Sequence, residues 1–356
     1  MNRHFTIRRP RELVEAGLAP EDRLADLQAV AARYAVAITP AMAEIIDAGD
    51  PHDPIARQFV PDAAELRQTD AEDADPIGDA AHAPVPGIVH RYPDRVLLKL
   101  VSVCPVYCRF CFRRETVGPG GPASLSDDAL GRALGYVAER PGIWEVVVTG
   151  GDPLVLSARR IAALMARLSA IPHVRVVRFH SRVPVVAPER VDGDMVAALR
   201  APGKATWIAV HANHPREIGP AAAAALARLV EAGIPLVGQT VLLRGVNDDP
   251  AVLSALMRAF VENRVKPYYL HQGDLAPGTS HLRTTIAEGR ALMAALRGRV
   301  SGLCQPSYVL DIPGGYGKVP VGPVYLSETG AGAVVTDFEG RTHAYPPHAP
   351  AAPPDG

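Results

Sequence analysis

Three of the four cysteines in this chain of 356 residues lie within the eight-residue stretch CPVYCRFC. They are Cys104, Cys108 and Cys111, at the spacing C-x3-C-x2-C. Three thiolates can bind three irons of a [4Fe–4S] cluster and leave the fourth iron open to a substrate or cofactor. A redox dithiol and a zinc site are the alternatives, but structural zinc usually takes four protein ligands. The remaining cysteine, Cys304, is far away in the sequence, and we expect it to be a buried apolar residue.

Apolar, β-branched runs that alternate with helical patterns position these cysteines. The predicted strands span residues 95–103, 144–150, 174–181, 205–212, 234–243 and 266–272. Strand followed by helix, six times, predicts a parallel sheet with helical crossovers, either covered on both faces or closed as a barrel. The cysteine triplet follows the first strand, and TGGDP, HSRVP, HANHP and HQGDL stand at the ends of four others. We therefore expect an α/β active site at the carboxyl ends of the strands.

The chain divides into three predicted parts. Residues 1–85 contain helical patterns over residues 9–48 and an acidic stretch from residue 70 that suggests a linker or a loose surface segment. Residues 86–325 form the α/β unit. Residues 326–356 form a C-terminal segment with the Pro-rich tail YPPHAPAAPPDG, which we expect to fray.

Composition argues against several classes of function. The formal net charge is −1 and no block of Lys or Arg stands out, so neither a nucleic acid nor an anionic membrane is supported as a partner. No apolar run approaches the roughly 20 residues of a membrane-spanning helix, and the basic N-terminus lacks the apolar region of a secretory signal. The cysteines do not form a secreted disulfide framework. We therefore expect a cytoplasmic protein.

The cysteine spacing, with an aromatic residue before the last cysteine, resembles the signature of radical S-adenosylmethionine (SAM) enzymes. Within that group, residues 86–325 resemble the lysine 2,3-aminomutase family. Eight motifs occur in the family's order: HRYPDRVL, CRFCFRR, TGGDPL, SRVPVVAPERV, HANHPREI, LLRGVND, KPYYLHQGDL and IPGGYGKVP. The resemblance implies a partial (β/α)6 radical-SAM barrel that binds a [4Fe–4S] cluster, SAM and pyridoxal 5′-phosphate (PLP).

Lys318 matches the lysine that holds PLP in this family. An amine bound as an imine to PLP joins a π system through which a radical can pass, so a lysine Schiff base is expected. The chain contains only four lysines among 37 basic residues, and an arginine in place of Lys318 could not form the imine. Arg95 matches the arginine that lies against PLP.

The other predicted cofactor contacts lie at strand ends. Gly150 and Gly151, followed by Asp152, match the strand end that holds the methionine amino group of SAM, and glycines let the backbone approach a ligand closely. His211 and Gln239 are predicted to contact the nucleotide or PLP. Outside this context a Gly-Gly pair is usually only a turn.

Three further residues match the substrate contacts of the family. Arg113, directly after the cluster motif, matches the arginine that pairs with the substrate carboxylate, a role that suits a planar guanidinium. Asp274 and Asp311 match the two carboxylates that hold the distal ammonium of the substrate. Two acids that converge on one cation recognise lysine and repel a glutamate side chain.

These observations predict an L-lysine 2,3-aminomutase, an isomerase that interconverts L-lysine and β-lysine by radical migration of the amino group. A reductant such as flavodoxin or ferredoxin and a homo-oligomeric assembly are expected partners. The alternatives are an aminomutase of arginine or glutamate and, from another class, a cluster-binding regulatory protein without turnover. A missing cysteine or a missing Lys318 would favour the regulatory protein, and all are present.

The sequence also departs from the clostridial type of the family. That type carries a C-terminal cysteine cluster for structural zinc, and this chain has no such cluster. The short C-terminus and CRFCFRR resemble the branch that supplies β-lysine for elongation factor P, whereas DIPGGYGK resembles the clostridial type. Both branches therefore stay open at this point.

Overall fold

The computed structural model describes residues 5–118, 120–200, 202–330 and 332–346. Within these residues, nine strands form one mixed sheet whose order follows the chain. They are β1 (Ile88–Tyr92), β2 (Arg95–Val101), β3 (Glu145–Gly150), β4 (Val176–Ser181), β5 (Ala205–His211), β6 (Leu236–Val241), β7 (Val265–His271), β8 (Ser307–Ile312) and β9 (Gly317–Pro320). Strands β2 to β8 run parallel, while β1 and β9 pair antiparallel at the two edges. The Pro-rich tail from residue 347 onward lies outside the described residues.

Helices connect the parallel strands and precede the sheet. They are α1 (Pro10–Glu15), α2 (Leu24–Arg33), α3 (Pro40–Ile45), α4 (Ala56–Phe59), α5 (Asp127–Ala138), α6 (Ala158–Ser169), α7 (Val183–Val186), α8 (Gly193–Leu199), α9 (Pro220–Glu231), α10 (Pro250–Glu262) and α11 (Ile286–Leu296). Helix α6 illustrates why they form: the Ser157 side chain caps its first turn, and Ile161, Leu164 and Leu168 make one buried stripe. Among the described residues, no helix is long and apolar enough to cross a membrane.

The predicted partial barrel is confirmed, and it is more nearly closed than the sequence indicated. The six predicted strands correspond to β2–β7, and the structure adds the parallel strand β8 and the antiparallel edges β1 and β9. The edges approach each other where the backbone N–H of Lys318 on β9 donates to the Tyr92 hydroxyl on β1 over 2.8 Å. Strands β1 and β9 have five and four residues, and such short strands carry too little periodicity to be recognised in sequence. Strand β8 is as long as β3, and length does not explain why it was missed.

The N-terminal helices pack against the barrel. Leu13 and Leu27 belong to the same hydrophobic cluster as Leu98 and Val148, which lie on the barrel strands. The prediction of a loose segment after residue 70 is wrong for residues 76–79, which are buried. The reason is that this short stretch lies over the barrel next to the polar groups described below.

A separate three-stranded antiparallel sheet follows the barrel. It consists of β10 (Leu326–Thr329), β11 (Gly332–Thr336) and β12 (Thr342–Tyr345). Strands β10 and β12 are exposed along their length, so this sheet adds little to the core. The sequence analysis did not predict these strands.

Candidate active site

The register of the sheet puts several polar side chains on the inner face of the barrel. His211 on β5 lies opposite Gln239 on β6, and Asp311 on β8 lies opposite Lys318 on β9. His271 on β7 pairs with Val309 on β8, and Val309 lies two residues before Asp311. Side chains two residues apart on a strand point to the same side, so His271 shares this face. Four predicted residues from three separate stretches of the sequence therefore meet inside the barrel, together with one histidine that was not predicted.

These five side chains form a connected set. His211 Nε2 lies 3.1 Å from Gln239 Oε1, and Gln239 Nε2 lies 2.9 Å from His271 Nε2. His271 Nδ1 lies 3.4 Å from Lys318 Nζ and 3.5 Å from Asp311 Oδ2. The ammonium of Lys318 donates to Asp311. The predicted PLP lysine thus shares its surroundings with a predicted substrate-binding acid.

Two buried carboxyls at this end of the barrel ionise very differently. Burial alone would raise the pKa of Asp311, but the hydrogen bond from His271 and the charge of Lys318 outweigh it and lower the pKa to about 2. Burial, and next the charge of Asp311, raise the pKa of Asp274 to about 7. One carboxylate is therefore charged throughout the neutral range, while the other becomes fully charged once a cation binds beside it.

A cavity of about 330 Å3 lies beside these two carboxyls. Cavities of about 300 Å3 and more hold small-molecule ligands. Besides Asp274 and Asp311, its polar lining includes Gln272, Arg283 and Thr284, and its apolar lining includes Pro76, Leu275, Ile286, Leu310 and Pro313. The Arg283 guanidinium is itself paired with Glu72 at 2.8 Å. A ligand here would meet two acids, one paired guanidinium and apolar walls.

The barrel histidines are neutral. Burial, and next the positive charge of His271 when it is protonated, lower the pKa of His211 to about 3. Burial and then Lys318 lower the pKa of His271, and burial and then Arg178 hold the pKa of His180 well below its usual range. These imidazoles therefore act as hydrogen-bonding groups rather than as cations.

A cluster of cations lies at the barrel mouth around one acid. Asp79, which is 5% exposed, is 3.0 Å from Arg113 Nη2, 3.3 Å from Arg91 Nη2 and 3.9 Å from Lys99 Nζ. The Nε–H groups of Arg91 and Arg113 are buried and have no acceptor among the described residues. An anionic group such as a carboxylate or a phosphate would provide those acceptors.

Tyr92 connects Arg95 to Lys318. Its guanidinium stacks on Tyr92 at 3.8 Å from the ring centroid, and it also pairs with Asp94. The hydroxyl of the same tyrosine accepts from the Lys318 backbone. Arg95 therefore borders the Lys318 region, and its contact with PLP stays a prediction.

The three clustered cysteines line one small cavity of about 40 Å3 and are all free thiols. Burial, and next the charge of Asp152, raise the pKa of Cys104 well above its usual range, and burial raises the pKa of Cys111 to about 11. Such thiols lose their protons to a bound metal centre. Cys304 is buried in the hydrophobic core, as predicted, and does not line this cavity. Thiols are the donors that an iron–sulfur cluster takes, so the residue types fit the predicted cluster. Among the described residues, no three His, Cys, Asp or Glu side chains are arranged to hold a single metal ion, and the cluster at Cys104, Cys108 and Cys111 stays a prediction.

Buried ion pairs fix the loop that carries the cysteines. Glu65, from the N-terminal region, accepts from Arg109 and Arg114, and the Arg109 Nε–Glu65 Oε1 distance is 3.0 Å. Burial alone would raise the pKa of Glu65, but the charges of these two arginines lower it. From the barrel side, Arg182 Nη1 lies 2.8 Å from the Cys108 sulfur. The loop is thus held from both sides.

The glycine pair at the end of β3 packs against the segment that leads to the cysteines. Gly150 has φ +114°, and a Cβ there would lie 2.2 Å from the Val101 carbonyl oxygen. A Cβ on Gly151 would lie 2.3 Å from the Val103 carbonyl oxygen. The glycines were predicted for close approach to a ligand, and the close approach found here is to protein backbone. Contact with SAM stays a prediction.

Protein donors surround the carboxylate of Asp152. Ser181 Oγ and the backbone N–H groups of Leu154, Arg182 and Val183 donate to it over 2.6 to 3.1 Å. Burial is the largest influence on this group and raises its pKa. Asp152 therefore ties the turn after β3 to the end of β4, and its predicted contact with a cofactor has no support from these bonds.

Sequence reasoning missed several groups of the site. His180 and His271 stand inside quoted motifs, at strand ends, so their position was a usable signal. The Nε2 of His180 is buried and unpaired among the described residues. No motif or spacing in the sequence indicated Asp79 or Glu65, because each precedes the barrel in the chain and reaches the site only through the tertiary fold.

Comparisons with known proteins agree with this geometry. The radical SAM superfamily profile matches residues 98–255, and the profile described as lysine-2,3-aminomutase matches residues 293–353. The L-lysine 2,3-aminomutase of Clostridium subterminale is 41% identical over 311 residues, which cover 87% of this chain and 74% of that protein. The enzyme of the same name from Fusobacterium nucleatum is 40% identical over 87% of this chain and 73% of its own length. A glutamate 2,3-aminomutase from Clostridioides difficile is 35% identical over 88% of this chain and 74% of its own.

Proposed function

Because this chain belongs to the lysine 2,3-aminomutase family of radical SAM enzymes, we propose that it interconverts L-lysine and β-lysine. The observation that carries the choice of substrate is the presence of Asp274 and Asp311 beside Lys318 in one buried region. A second, cationic region around Arg113 stands at the barrel mouth. The site thus offers acids to an ammonium and a guanidinium to a carboxylate.

The family uses a [4Fe–4S] cluster, SAM and PLP, and the residues present fit these groups. Cys104, Cys108 and Cys111 would hold the cluster, and Lys318 would hold PLP covalently. When bound, the cluster and SAM supply a radical that removes a substrate hydrogen, and PLP supplies the π system through which the amine migrates.

The protein's own contribution is binding and orientation. Arg113 binds the substrate carboxylate, while Asp79 fixes that guanidinium through Nη2 and leaves its Nε–H for a ligand. Asp311 presents a permanent negative charge to the distal ammonium, and Asp274 ionises when the ammonium arrives. Apolar side chains in the cavity wall, such as Leu275 and Ile286, lower the local dielectric constant, which strengthens these charge interactions.

Charge also separates lysine from its competitors. A glutamate side chain would bring a third carboxylate against Asp274 and Asp311, so glutamate is disfavoured although one relative is a glutamate 2,3-aminomutase. Arginine has the correct sign and is the closer competitor. The regulatory alternative is disfavoured because the chain retains the cysteine triplet and Lys318.

We also propose the electron donor of the enzyme, its assembly and the compartment in which it works. A one-electron donor such as flavodoxin or ferredoxin reduces the cluster, and the enzyme works in the cytoplasm as a homo-oligomer. Its free cysteines support a reducing compartment. β-Lysine would serve either elongation factor P modification or free amino-acid metabolism.

One experiment tests the function. The protein is reconstituted anaerobically with iron and sulfide, then supplied with SAM, PLP, reductant and lysine, arginine or glutamate in separate reactions. We expect β-lysine from lysine at the highest efficiency, and no product when Cys108→Ala replaces the wild type. Preference for glutamate would refute the assignment of the two acids, whereas preference for arginine would retain the charge argument and change the substrate.

A further inference from the structure

The contacts of His271 go beyond the proposed function. This residue is the only one among the described residues that touches Gln239, Lys318 and Asp311 at once. Its ring is buried on the inner face of β7, between the predicted PLP lysine and a predicted substrate-binding acid. None of the motif matches assigned it a role.

Both nitrogens of the His271 ring lie near a group that can only donate: Gln239 Nε2 is 2.9 Å from Nε2, and Lys318 Nζ is 3.4 Å from Nδ1. A neutral ring accepts at only one nitrogen, and we assign that role to Nε2, because its contact is the shorter one and because Nδ1 also has an acceptor, Asp311, at 3.5 Å. Gln239 Oε1 in turn accepts from His211 Nε2. A neutral imidazole with a bare Nε2 carries its proton on Nδ1, the nitrogen that faces Asp311 and Lys318.

We propose that His271 is a positioning residue: its Nδ1–H donates to the Asp311 carboxylate and so lets Lys318 leave that carboxylate to bind PLP. With Nδ1 protonated, the ring cannot accept a hydrogen bond from the Lys318 ammonium. Asp311 then keeps a neutral donor when the lysine departs, and its orientation toward the substrate pocket is retained. The proposal rests on the proposed role of Lys318 in holding PLP.

The charges around the ring favour this arrangement. The titratable and polar groups that face it come from each neighbouring strand: His180 on β4, His211 on β5, Gln239 on β6, Tyr269 on β7 itself, Asp311 on β8 and Lys318 on β9. Burial and the charge of Lys318 lower the pKa of His271, which keeps the ring neutral.

The test compares two neutral replacements of His271. Asn places an amide near the former Nδ1, and Gln places it near the former Nε2. Each protein, without SAM or substrate amino acid, is mixed with PLP between about pH 6 and pH 10, and attachment is followed by absorbance and by borohydride reduction with peptide mapping. His52→Gln, at an exposed position, is the control.

We expect His271→Asn and the control to attach PLP at Lys318 within about twofold of the wild-type rate. His271→Gln should attach it about tenfold more slowly at neutral pH, with a pH midpoint about one unit higher, because a hydrogen bond to a charged group is lost. Equal rates for Asn and Gln would overturn the proposal. Attachment at another lysine would instead refute the proposed function of Lys318.

The tautomer provides a second check, which is read in the wild-type protein and uses a variant only to assign the signals. In protein labelled with 15N-histidine, the ring signals that disappear in His271→Asn belong to His271. We expect a protonated Nδ1 and a bare Nε2. A protonated Nε2 on His271 would contradict the proposal even if the attachment rates agreed with it.

Discussion

Asp274→Asn removes one of the two acids at the ammonium end of the site without changing the charge of the resting enzyme much. Burial and the charge of Asp311 raise the pKa of Asp274 from 3.8 to about 7. Below about pH 7, the protonated carboxyl of the empty site and the amide of asparagine are therefore both neutral and similar in size. Folding and PLP attachment should be unaffected, while binding of lysine loses a charge partner.

The magnitude follows from this pKa. Its rise of about three units means that ionising Asp274 in the empty site costs about 4 kcal/mol more than in water, at 1.36 kcal/mol per unit. Removing one member of a buried charge pair costs about 2–5 kcal/mol, so kcat/KM for lysine should fall at least about thirtyfold above pH 7. Below pH 7 the wild-type carboxyl is protonated, and its advantage should shrink about tenfold for each pH unit.

The assay is the ratio of wild-type to Asp274→Asn kcat/KM for lysine, measured anaerobically between about pH 5.5 and pH 8.5. Titration of the substrate and of shared groups cancels in this ratio. The ratio should rise with pH and level off above about 7, because only the ionised Asp274 distinguishes the two proteins. Asp128→Asn, at an exposed position on α5, should leave the ratio near one. A ratio that does not change with pH would refute the reasoning.

The remaining predictions concern the cofactors and the cationic cluster. Cys111→Ala should abolish SAM cleavage and iron retention, measured by product analysis and iron content, whereas Cys304→Ala should preserve both. Equal loss in the two variants would contradict the assignment of the cluster to the cavity that Cys111 lines. Lys318→Arg should lose the absorbance of covalently bound PLP, and retained absorbance would exclude this lysine. Asp79→Asn should lower the free energy of unfolding by about 3 kcal/mol in urea titrations, because the buried Arg113 loses its counter-ion; an unchanged midpoint would exclude a buried ion pair.

Much of this protein could be predicted from sequence because local signals determine it. The cysteine spacing is a property of eight consecutive residues, and the alternation of apolar strands with amphipathic helices records burial on both faces of a parallel sheet. Lys318 was recognisable because the stretch IPGGYGKVP matches the family motif that holds PLP, and the scarcity of lysines in the chain gave additional support. The same local logic explains why Cys304 was correctly predicted to be buried.

Tertiary structure alone decided how these residues act together. Asp79 lies in an acidic stretch that resembled a surface segment, and only the folded chain buries it between Arg91 and Arg113. The sequence does not distinguish the ionisation of Asp274 from that of Asp311, yet the first pKa is raised to about 7 and the second is lowered to about 2, because the pKa of a buried carboxyl depends on the charges that the fold brings beside it. Strand register is likewise not encoded in any short motif.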